Sequence, residues 1–462
     1  KINEMNTKAI WTLCLILLTG GVRAQQKHEL TVKEAVDLAW KNVVELKNAQ
    51  LDYKIQEARN KEILGQALPQ ISGNVQANHY IKLPTILFPQ SEQGIYDVLK
   101  REGLVPPSTT PPAPTLAAFS FQQPWNFAAG ATLTQLLFQP DVFVGLQARQ
   151  TSLDYRQALV EQAKEKIKDS AYKRYYAILI AQKQLHFLNE SVKRLEKLSS
   201  DINQIYQNGF AERLDVDRVQ VQLNNLKTTQ SLVENAVNLS YAAMKFTIGI
   251  PQKDTIILKE ELTVEGIKEG VLDESFSYEN RAEIRTMSTL QRLQQLEVKR
   301  NKLGWIPTIA LSGNYSVNGM GQKFFTHEST FWYKSAFIGL NINLPIFKGF
   351  QRKYQVEQAQ LTLEKLNNTV DNVKQAIDFE QVVAKESLKN ALLNLDAQEK
   401  NLELAEKVYN TTKIKFENGV GSSVEVLQAD TEYQTAQSNY FNALYNATVA
   451  RISYQYSLGK LQ

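Results

Sequence analysis

The chain contains an internal duplication. Gly209 aligns with Gly419 inside matching Asn-Gly turns, 210 residues apart, and the same offset aligns Gly249 with Gly459 near the end of each copy. Similarity between two halves of a chain indicates one architectural unit that is used twice. We therefore expect one body with internal pseudosymmetry, although the length alone would allow two or three domains.

The N-terminal residues predict the cellular compartment. Lys8 precedes an apolar stretch at 9–18, and small residues follow it, which is the pattern of a secretory signal peptide. The apolar stretch has about half of the ~20 residues that a membrane-spanning helix needs. We assign 1–24 to the signal peptide, and we expect that 1–4, which precede Met5, are not native to the protein.

The composition argues against several classes of function. Without the signal peptide the chain loses three basic residues and one acidic residue, so its formal net charge falls from +4 to +2. A nearly neutral chain gives no reason to expect binding to nucleic acid. The only cysteine, Cys14, lies in the predicted signal peptide. The mature chain would therefore have no thiol, disulfide or cysteine metal site.

Motifs for catalysis are absent from the sequence. It contains no HExxH zinc motif, no GxxxxGK[ST] phosphate loop and no GxSxG nucleophile elbow. The four histidines are scattered singly, without the spacing of metal ligands, and the four methionines argue against a methionine-lined copper path. We expect no enzyme activity, no cofactor and no metal site, because an enzyme would need a cofactor that no motif indicates.

Long helices are expected to dominate the fold. Residues 143–207 contain no proline, and apolar residues follow each other at intervals of three and four, as at Val192, Leu195 and Ile202. This spacing indicates coiled-coil packing, and each such helix would be about 100 Å long at 1.5 Å per residue. Many positions of the seam are small or polar. Two interpretations therefore stay open: a helical hairpin in a bundle, or a tube wall whose helices each have two neighbours and one face in water.

Four short segments alternate apolar and polar residues with a period of two, most clearly at 309–317 and 338–344. A strand of a membrane barrel alternates in this way between lipid and a wet interior. A strand half-buried in a soluble sheet would look alike. The predicted lipid-facing residues are Ile309, Leu311, Tyr315, Ile338, Leu340 and Ile342, and the predicted lumen-facing residues are Ser312, Asn314, Asn341 and Asn343.

Aromatic residues precede two of these strands and suit the headgroup belt of a membrane barrel. A small core inside a loop is the alternative interpretation. The first cluster is Phe119, Phe121, Trp125 and Phe127, and the second is Phe324, Phe325, Phe331, Trp332, Tyr333 and Phe337.

Each copy is expected to contain a helix, two strands, a long helix, a turn and a second helix. Four strands cannot close a barrel, which takes about eight, and a membrane does not tolerate an open sheet edge. Several chains would therefore have to pool their strands. The predicted segments are the signal peptide at 1–24, a first repeat at 25–250 (strands about 70–80 and 127–137, helices about 143–207 and 212–247), a linker at 251–276, and a second repeat at 277–462 (strands about 308–318 and 337–345, helices about 350–417 and 422–458).

The region 80–126 is the main difference between the two copies. It is proline-rich, and proline at this density disfavours regular structure. We expect a long external loop between the first two strands, folded over the barrel mouth or disordered at the surface.

Five short segments, spread over essentially the whole mature chain, carry a family resemblance. They are 30–39, 280–284, 303–307, 343–350 and 418–427. In this order they resemble the TolC family of outer-membrane efflux proteins, also called outer membrane factors. The resemblance implies a mainly α fold with a transmembrane β part. Three chains would form a twelve-stranded barrel in the outer membrane and an α-helical coiled-coil tunnel in the periplasm.

The resemblance also implies a function and partners. A homotrimer would serve as the passive exit duct of a tripartite efflux or type I secretion system. It would dock to a periplasmic membrane-fusion (adaptor) protein and an inner-membrane pump of RND or ABC type. The alternative is a periplasmic coiled-coil scaffold or adaptor that is not inserted in the membrane. The sequence does not specify the exported cargo.

The two Asn-Gly turns would be the periplasmic tips of the tunnel. Glycine allows a positive φ between antiparallel helices, and serine after the turn caps the next helix. The resemblance adds adaptor docking at these turns, although ordinary hairpin turns would have the same sequence. The candidate docking residues are Asn208, Gly209, Asn418, Gly419, Val420, Gly421, Ser422 and Ser423.

Some relatives close the tunnel with a tyrosine and an arginine beside the second tip. This chain has Phe416 and Gly421 at those positions, so a latch would have to come from the first copy. The candidate latch is Tyr206, Arg213 and Asp215. Four nearby acidic residues are expected to be solvated charges on helix faces, namely Asp201, Glu403, Glu406 and Glu417.

Overall fold

The structure, a computed structural model, describes residues 26–268, 275–324 and 330–461. The predicted signal peptide lies outside the described residues. The strands are β1 (Lys27–Leu30), β2 (Gln70–His79), β3 (Ile86–Gln90), β4 (Thr115–Phe119), β5 (Trp125–Phe138), β6 (Thr255–Leu258), β7 (Thr308–Gly321) and β8 (Thr330–Asn343). The α-helices are α1 (Val32–Asn42), α2 (Val44–Gln66), α3 (Gln93–Arg101), α4 (Pro140–Gln207), α5 (Arg213–Ile248), α6 (Val264–Lys268), α7 (Ala282–Leu303), α8 (Gln351–Glu417) and α9 (Ser423–Ser457).

The chain divides into two compact units. Of the described residues, a helical unit contains those up to Gln56, those within Gln150–Leu293 and those from Thr362 onward, and a sheet unit contains those within Glu57–Arg149 and Gln294–Leu361. Among the described helices, none is both long enough and apolar enough to cross a membrane.

In the helical unit, the two long helices each form a hairpin with the helix that follows. The predicted seam residues Val192, Leu195 and Ile202 of α4 are buried against α5, at Val219 and Leu223 among others. The second hairpin has the equivalent core, in which Tyr409 of α8 packs on Val426, Ala429 and Tyr433 of α9. Leu198 and Phe416 contact both cores, so the two hairpins pack on each other.

The base of the first hairpin is a mixed core. β1 and β6 pair in parallel, and their residues pack with α1 against Tyr175 and Ile178 of α4 and Met244 of α5. The fully buried Tyr175 hydroxyl donates to the Leu30 carbonyl at 2.9 Å, which satisfies the one polar group of this side chain.

The glycine that both repeats share at the end of the second helix of each hairpin has a physical explanation. Gly249 and Gly459 have φ values of +70° and +68°. A Cβ atom at Gly249 would lie 2.9 Å from Asn42, and one at Gly459 would lie 2.7 Å from the Asn280 carbonyl oxygen. Glycine is therefore required in both repeats, because the backbone has a left-handed conformation and another segment of the same chain lies too close for a side chain.

The sheet unit contains an antiparallel sheet with the strand order β2-β5-β7-β8. The pairing of β5 with β7 joins the strands of one repeat to those of the other. Successive side chains point to opposite sides of such a sheet. Continuous register over 14 residues between β7 and β8 therefore fixes which residues share a face.

The expected irregular loop at 80–126 is partly wrong. Strands β3 and β4 form an antiparallel ribbon, and α3 lies between them in sequence. The prolines at 106–114 lie outside these elements, and Pro89 stands in a ribbon of two strands, both of which are edges. Proline is tolerated at an edge because its missing N–H can face outward. Proline content alone therefore did not exclude regular structure here.

Candidate functional site

The two faces of the four-stranded sheet differ in polarity. One face, called the polar face below, carries side-chain hydrogen bonds that cross between strands. Asn314 Nδ2 donates to Thr132 Oγ1 at 3.0 Å, and Asn341 Nδ2 donates to Ser312 Oγ at 3.0 Å. All four predicted lumen-facing residues lie on this face, since Asn343 is registered opposite Thr308. Whether this face lines a lumen stays a prediction.

The opposite face, called the apolar face below, holds all six residues predicted to face lipid. Leu311 is registered opposite Leu340, and Ile309 opposite Ile342. Ile338 is 83% exposed in the single chain, so no other part of the described chain covers it. Large exposed apolar areas of this kind indicate contact with a membrane or another protein.

Aromatic side chains gather at one end of the apolar face. Trp125 lies 4.4 Å from His79, and 4.8 Å from Phe324, between ring centroids. Phe127, which is 6% exposed, lies 6.1 Å from Trp332. The cluster contains residues of β2, β5 and β8, together with Phe324 just after β7, at the end where β2 stops and β8 begins. This position fits an interfacial belt of the kind found in membrane barrels.

The expected belt is wrong, however, for three aromatic residues of β8. The strand already begins at Thr330, so Phe331, Tyr333 and Phe337 alternate within it rather than preceding it. They are registered opposite Met320, Asn318 and Asn314 and therefore belong to the polar face.

The two Asn-Gly turns have the same geometry. Gly209 and Gly419 have φ values of +81° and +74°. The next residue donates its N–H five positions back, from Phe210 to Ile205 O at 3.0 Å and from Val420 to Lys415 O at 3.0 Å. These bonds form a Schellman motif, in which a left-handed glycine ends the helix. Phe210 and Val420, 85% and 82% exposed, are the most prominent apolar side chains of the turns.

A hydrogen bond ties the two turns together. Ser422 caps α9 by accepting from the Glu425 N–H at 3.2 Å. The neighbouring Ser423 hydroxyl donates to Asp215 Oδ1 at 2.9 Å, across 208 residues of sequence. The predicted docking residues of the second turn are thus connected to the first helical hairpin.

The candidate latch is not assembled within one chain. Arg213 pairs with Asp217 at 3.0 Å rather than with Asp215, and both members of that pair are exposed. Asp215 instead accepts from Ser423, and it also lies 4.0 Å from Arg218. Tyr206 is half-buried, and no side-chain hydrogen bond joins it to the other two residues. A role for the three residues in closing the tunnel stays a prediction.

The chain is similar in sequence to known outer-membrane proteins. The sequence profile of the family "Outer membrane efflux protein" matches residues 277–460. The outer membrane protein TolC of Vibrio cholerae is 20% identical over 339 residues, which cover 72% of this chain and 77% of that protein. Protein CyaE of Bordetella pertussis is 22% identical over 270 residues, 58% of this chain and 56% of that protein. The chain belongs to the TolC family of outer membrane efflux proteins.

Solved structures show the same fold. A structure of CusC superimposes with a TM-score of 0.71 at 14% identity and covers 93% of this chain and 92% of that one. VceC from Vibrio cholerae gives a TM-score of 0.67 at 14% identity, with 93% and 96% covered. CmeC from Campylobacter jejuni gives 0.68 at 15% identity, with 93% and 86% covered. The mainly helical TolC-like fold, with its long helices and strand pairs, is therefore confirmed.

TolC-family membership identifies the chain as a non-enzymatic outer-membrane channel that extends into the periplasm and works as a trimer with efflux partners. The sheet explains why copies of the chain must associate. β2 and β8 stand at its two edges and each has one strand neighbour among the described residues. In lipid, the unpaired backbone groups of an open edge would each cost several kcal/mol. Pairing β2 of one copy with β8 of the next removes both edges.

Sequence reasoning missed a buried charge between the two hairpins. Arg194 of α4 lies 5.6 Å above the Tyr409 ring and 5.1 Å above the Tyr433 ring. Its Nε atom is 4.0 Å from Asp430, whose side chain is only 2% exposed. The repeat offset of 210 offered a signal, because the positions equivalent to Arg194 and Asp430 hold Leu404 and Gln220.

We expect the contact between the hairpins to depend on pH through Asp430. Burial raises the pKa of its carboxyl from 3.8 to about 6. Between these values the folded chain holds a proton that the unfolded chain has lost, so the free energy of unfolding should fall as pH rises from 4 to 6. The expected loss is about 2–3 kcal/mol. Thermal unfolding at a series of pH values should show this slope in the wild type, and a flatter profile in Asp430→Asn.

An equal slope in both proteins would contradict that assignment. Asp201 lies near Arg194 and is half-buried, and the control variant Asp201→Asn leaves Asp430 in place, so the slope that Asp430 causes should persist.

Proposed function

We propose that the chain is the passive exit duct of a tripartite efflux or type I secretion system, docked to a periplasmic adaptor and an inner-membrane pump of RND or ABC type. The observation that carries the proposal is the sheet with one polar face, one apolar face and two edges that are unpaired among the described residues. Three such sheets joined edge to edge would have twelve strands. That number leaves a wet interior, whereas about eight strands are filled by their own side chains.

The polar face supplies a suitable lining for a passive duct. Asparagine, serine and threonine side chains bond to each other across the strands, for example Ser316 to Ser335 at 2.8 Å. On the polar sides of β2, β5 and β7, the register places no charged residue. Such a wall can be wetted without selecting strongly for the charge of the cargo. Substrate choice would then belong to the pump.

The first test is the location and assembly of the chain. Cell envelopes are fractionated, and the outer-membrane extract is run on semi-native gels with and without boiling. We expect an outer-membrane trimer that boiling converts to a monomer. A monomer in the soluble periplasmic fraction would overturn the duct and support a scaffold instead.

Adaptor docking is proposed at the two turns. Because the two turns have the same backbone geometry, each chain offers two similar docking sites. The exposed side chains of Phe210 and Val420 give each site an apolar contact. Helical partners commonly present apolar side chains to such surfaces. We propose that these residues, with the glycines and serines around them, contact the tip of a helical hairpin of the adaptor.

A double substitution tests the docking. Phe210→Asp with Val420→Asp should abolish export, because two charges would be buried at the contact. The measurement is survival of the host on a panel of toxic compounds, compared with a strain that lacks the chain. Phe210→Leu with Val420→Ile keeps the apolar contact and should retain export. Full export by the aspartate variant, with its trimer intact, would exclude the turns as the docking site.

A further inference from the structure

The insertion between β2 and β5 exposes apolar residues on both sides of a two-stranded ribbon. Phe88 is registered opposite Ala117 on one side, and Leu87 opposite Ala118 on the other. A two-stranded ribbon is at best marginally stable in water and needs a surface to cover it. The exposed fractions are 54% for Ile86, 59% for Leu87, 43% for Phe88, 68% for Leu116 and 49% for Phe119.

A second uncovered apolar surface lies on β8. Phe331 and Phe337 are 71% and 60% exposed, Tyr333 is 38% exposed, and the rings of Phe331 and Tyr333 stack at 6.0 Å. These three residues, called the aromatic ladder below, are the aromatic members of the polar face. The polar sides of β2, β5 and β7 carry no aromatic residue. An aromatic ladder on a wetted face calls for a covering partner.

The two surfaces meet at the contact between copies. β2 and β8 are the edges that pair when copies join, and they run antiparallel in that arrangement. The end of β2 at His79, from which the insertion leaves, then lies beside the start of β8 at Thr330. Six residues separate β2 from β3. They span up to about 20 Å, which is enough to cross the next strand at about 4.8 Å spacing.

We propose that the insertion of one copy packs across the outer end of β8 in the next copy, against Phe331, Tyr333 and Phe337. The inference rests on the proposed duct. The aromatic ladder is covered by a second copy of this chain, because the insertion that carries the apolar ribbon follows β2, the edge strand that pairs with β8 of the neighbouring copy. Each contact then covers both the apolar ribbon and the aromatic ladder. Three such contacts in the trimer narrow the outer mouth of the channel, because they lie on the polar face that lines its interior.

Paired cysteines test the contact, since the predicted mature chain has no cysteine of its own. One variant combines Phe88→Cys with Phe331→Cys, and a second combines Leu87→Cys with Phe331→Cys to sample the other side of the ribbon. We expect at least one of them to give covalent dimers and trimers after mild oxidation, which persist on boiling and disappear with a reductant. Disulfides need Cβ atoms about 3.5–4.5 Å apart, so a short bismaleimide serves as a second reagent.

The matched control places the second cysteine at Trp332 instead. This residue is the neighbour of Phe331 but belongs to the apolar face. Cross-linking to Trp332→Cys in place of Phe331→Cys would overturn the inference, because the insertion would then lie on the membrane side. A cross-linked monomer would overturn it as well, because the insertion would cover its own chain. Labelling of the insertion by a lipid-soluble photoprobe would point to the outer leaflet as the covering surface.

Conductance in planar bilayers separates this inference from the proposed function. Phe331→Ser with Tyr333→Ser should release the insertion and raise the single-channel conductance, whereas Trp332→Ser should leave it unchanged. A trimer that conducts, with no cross-link and no rise in conductance, would overturn the inference and leave the duct standing. A chain that forms neither a trimer nor a conducting channel would overturn both.

Discussion

Ile338→Arg is expected to keep the chain out of the outer membrane. Ile338 lies near the middle of β8 on the apolar face, opposite Gly313, and is 83% exposed in the single chain. An arginine at the middle of the bilayer on the lipid side of a barrel costs about 2–4 kcal/mol. The trimer would carry three such residues, so the total cost is about three times larger. The heat-sensitive trimer in outer-membrane extracts should therefore be lost.

Asn341→Arg is the matched control. Asn341 lies on the same strand but on the polar face, where an added charge would meet water. It gives up one hydrogen bond to Ser312, which is worth about 1 kcal/mol. We expect a normal trimer. If Asn341→Arg prevented assembly while Ile338→Arg did not, the two faces would have been assigned the wrong way round.

Arg281→Ala is expected to lower the free energy of unfolding of the helical unit by about 3 kcal/mol. The Arg281 side chain is 5% exposed and pairs with Glu283 at 3.1 Å and Glu380 at 2.9 Å. It also donates to the Ser457 carbonyl at 2.9 Å and lies 5.2 Å from the Tyr456 ring centroid. Breaking a buried ion pair costs about 3–5 kcal/mol. The lower value applies because Glu380 is partly exposed and can be hydrated.

Thermal unfolding of the detergent-solubilised trimer measures this loss. Arg292→Ala removes a solvent-exposed arginine from α7, the helix that follows Arg281, and should leave the unfolding temperature nearly unchanged. Equal shifts in the two variants would show that the cluster around Arg281 contributes nothing specific. The carboxylate variant Glu380→Gln should give an intermediate shift, since Arg281 would keep Glu283.

Several parts of the fold followed from local patterns in the sequence. The intervals of three and four at Val192, Leu195 and Ile202 predicted the seam of α4, and these residues are buried in the first hairpin. Alternation at 309–317 placed residues on two faces because the side-chain period of a strand is two. Both patterns arise from packing along one element, so one element was enough to reveal them.

The start of β8 was not predictable in the same way. Four adjacent aromatic or charged residues, from Phe331 to Lys334, hide the alternation that register with β7 makes plain. Strand pairing, which depends on a partner elsewhere in the chain, extended β8 to Thr330. The aromatic ladder was therefore assigned to the wrong surface by sequence reasoning.

Contacts between distant residues were equally hidden. Arg281 aligns with Val43 of the first repeat, and its ion-pair partner Glu380 lies about a hundred residues away in the sequence. Arg194 and Asp430 are separated by more than two hundred residues. Neither pair leaves a local pattern. In a duplicated chain, however, such a site can be recognised where a charged residue in one repeat aligns with an apolar residue in the other. Arg194 and Arg281 both meet this criterion, because they align with Leu404 and Val43.

The buried charge at Arg194 gives the tunnel wall two kinds of joint. A trimer of this duplicated chain has six hairpins, which meet alternately within one chain and between chains. The joints within a chain contain Arg194 and Asp430, whereas the equivalent residues at the joints between chains are Leu404 and Gln220. Of the two aligned positions only Asp430 carries a carboxyl, so its protonation affects the joints within a chain. A change in acidity would thus act on the wall with threefold rather than sixfold symmetry, at every second joint around the ring.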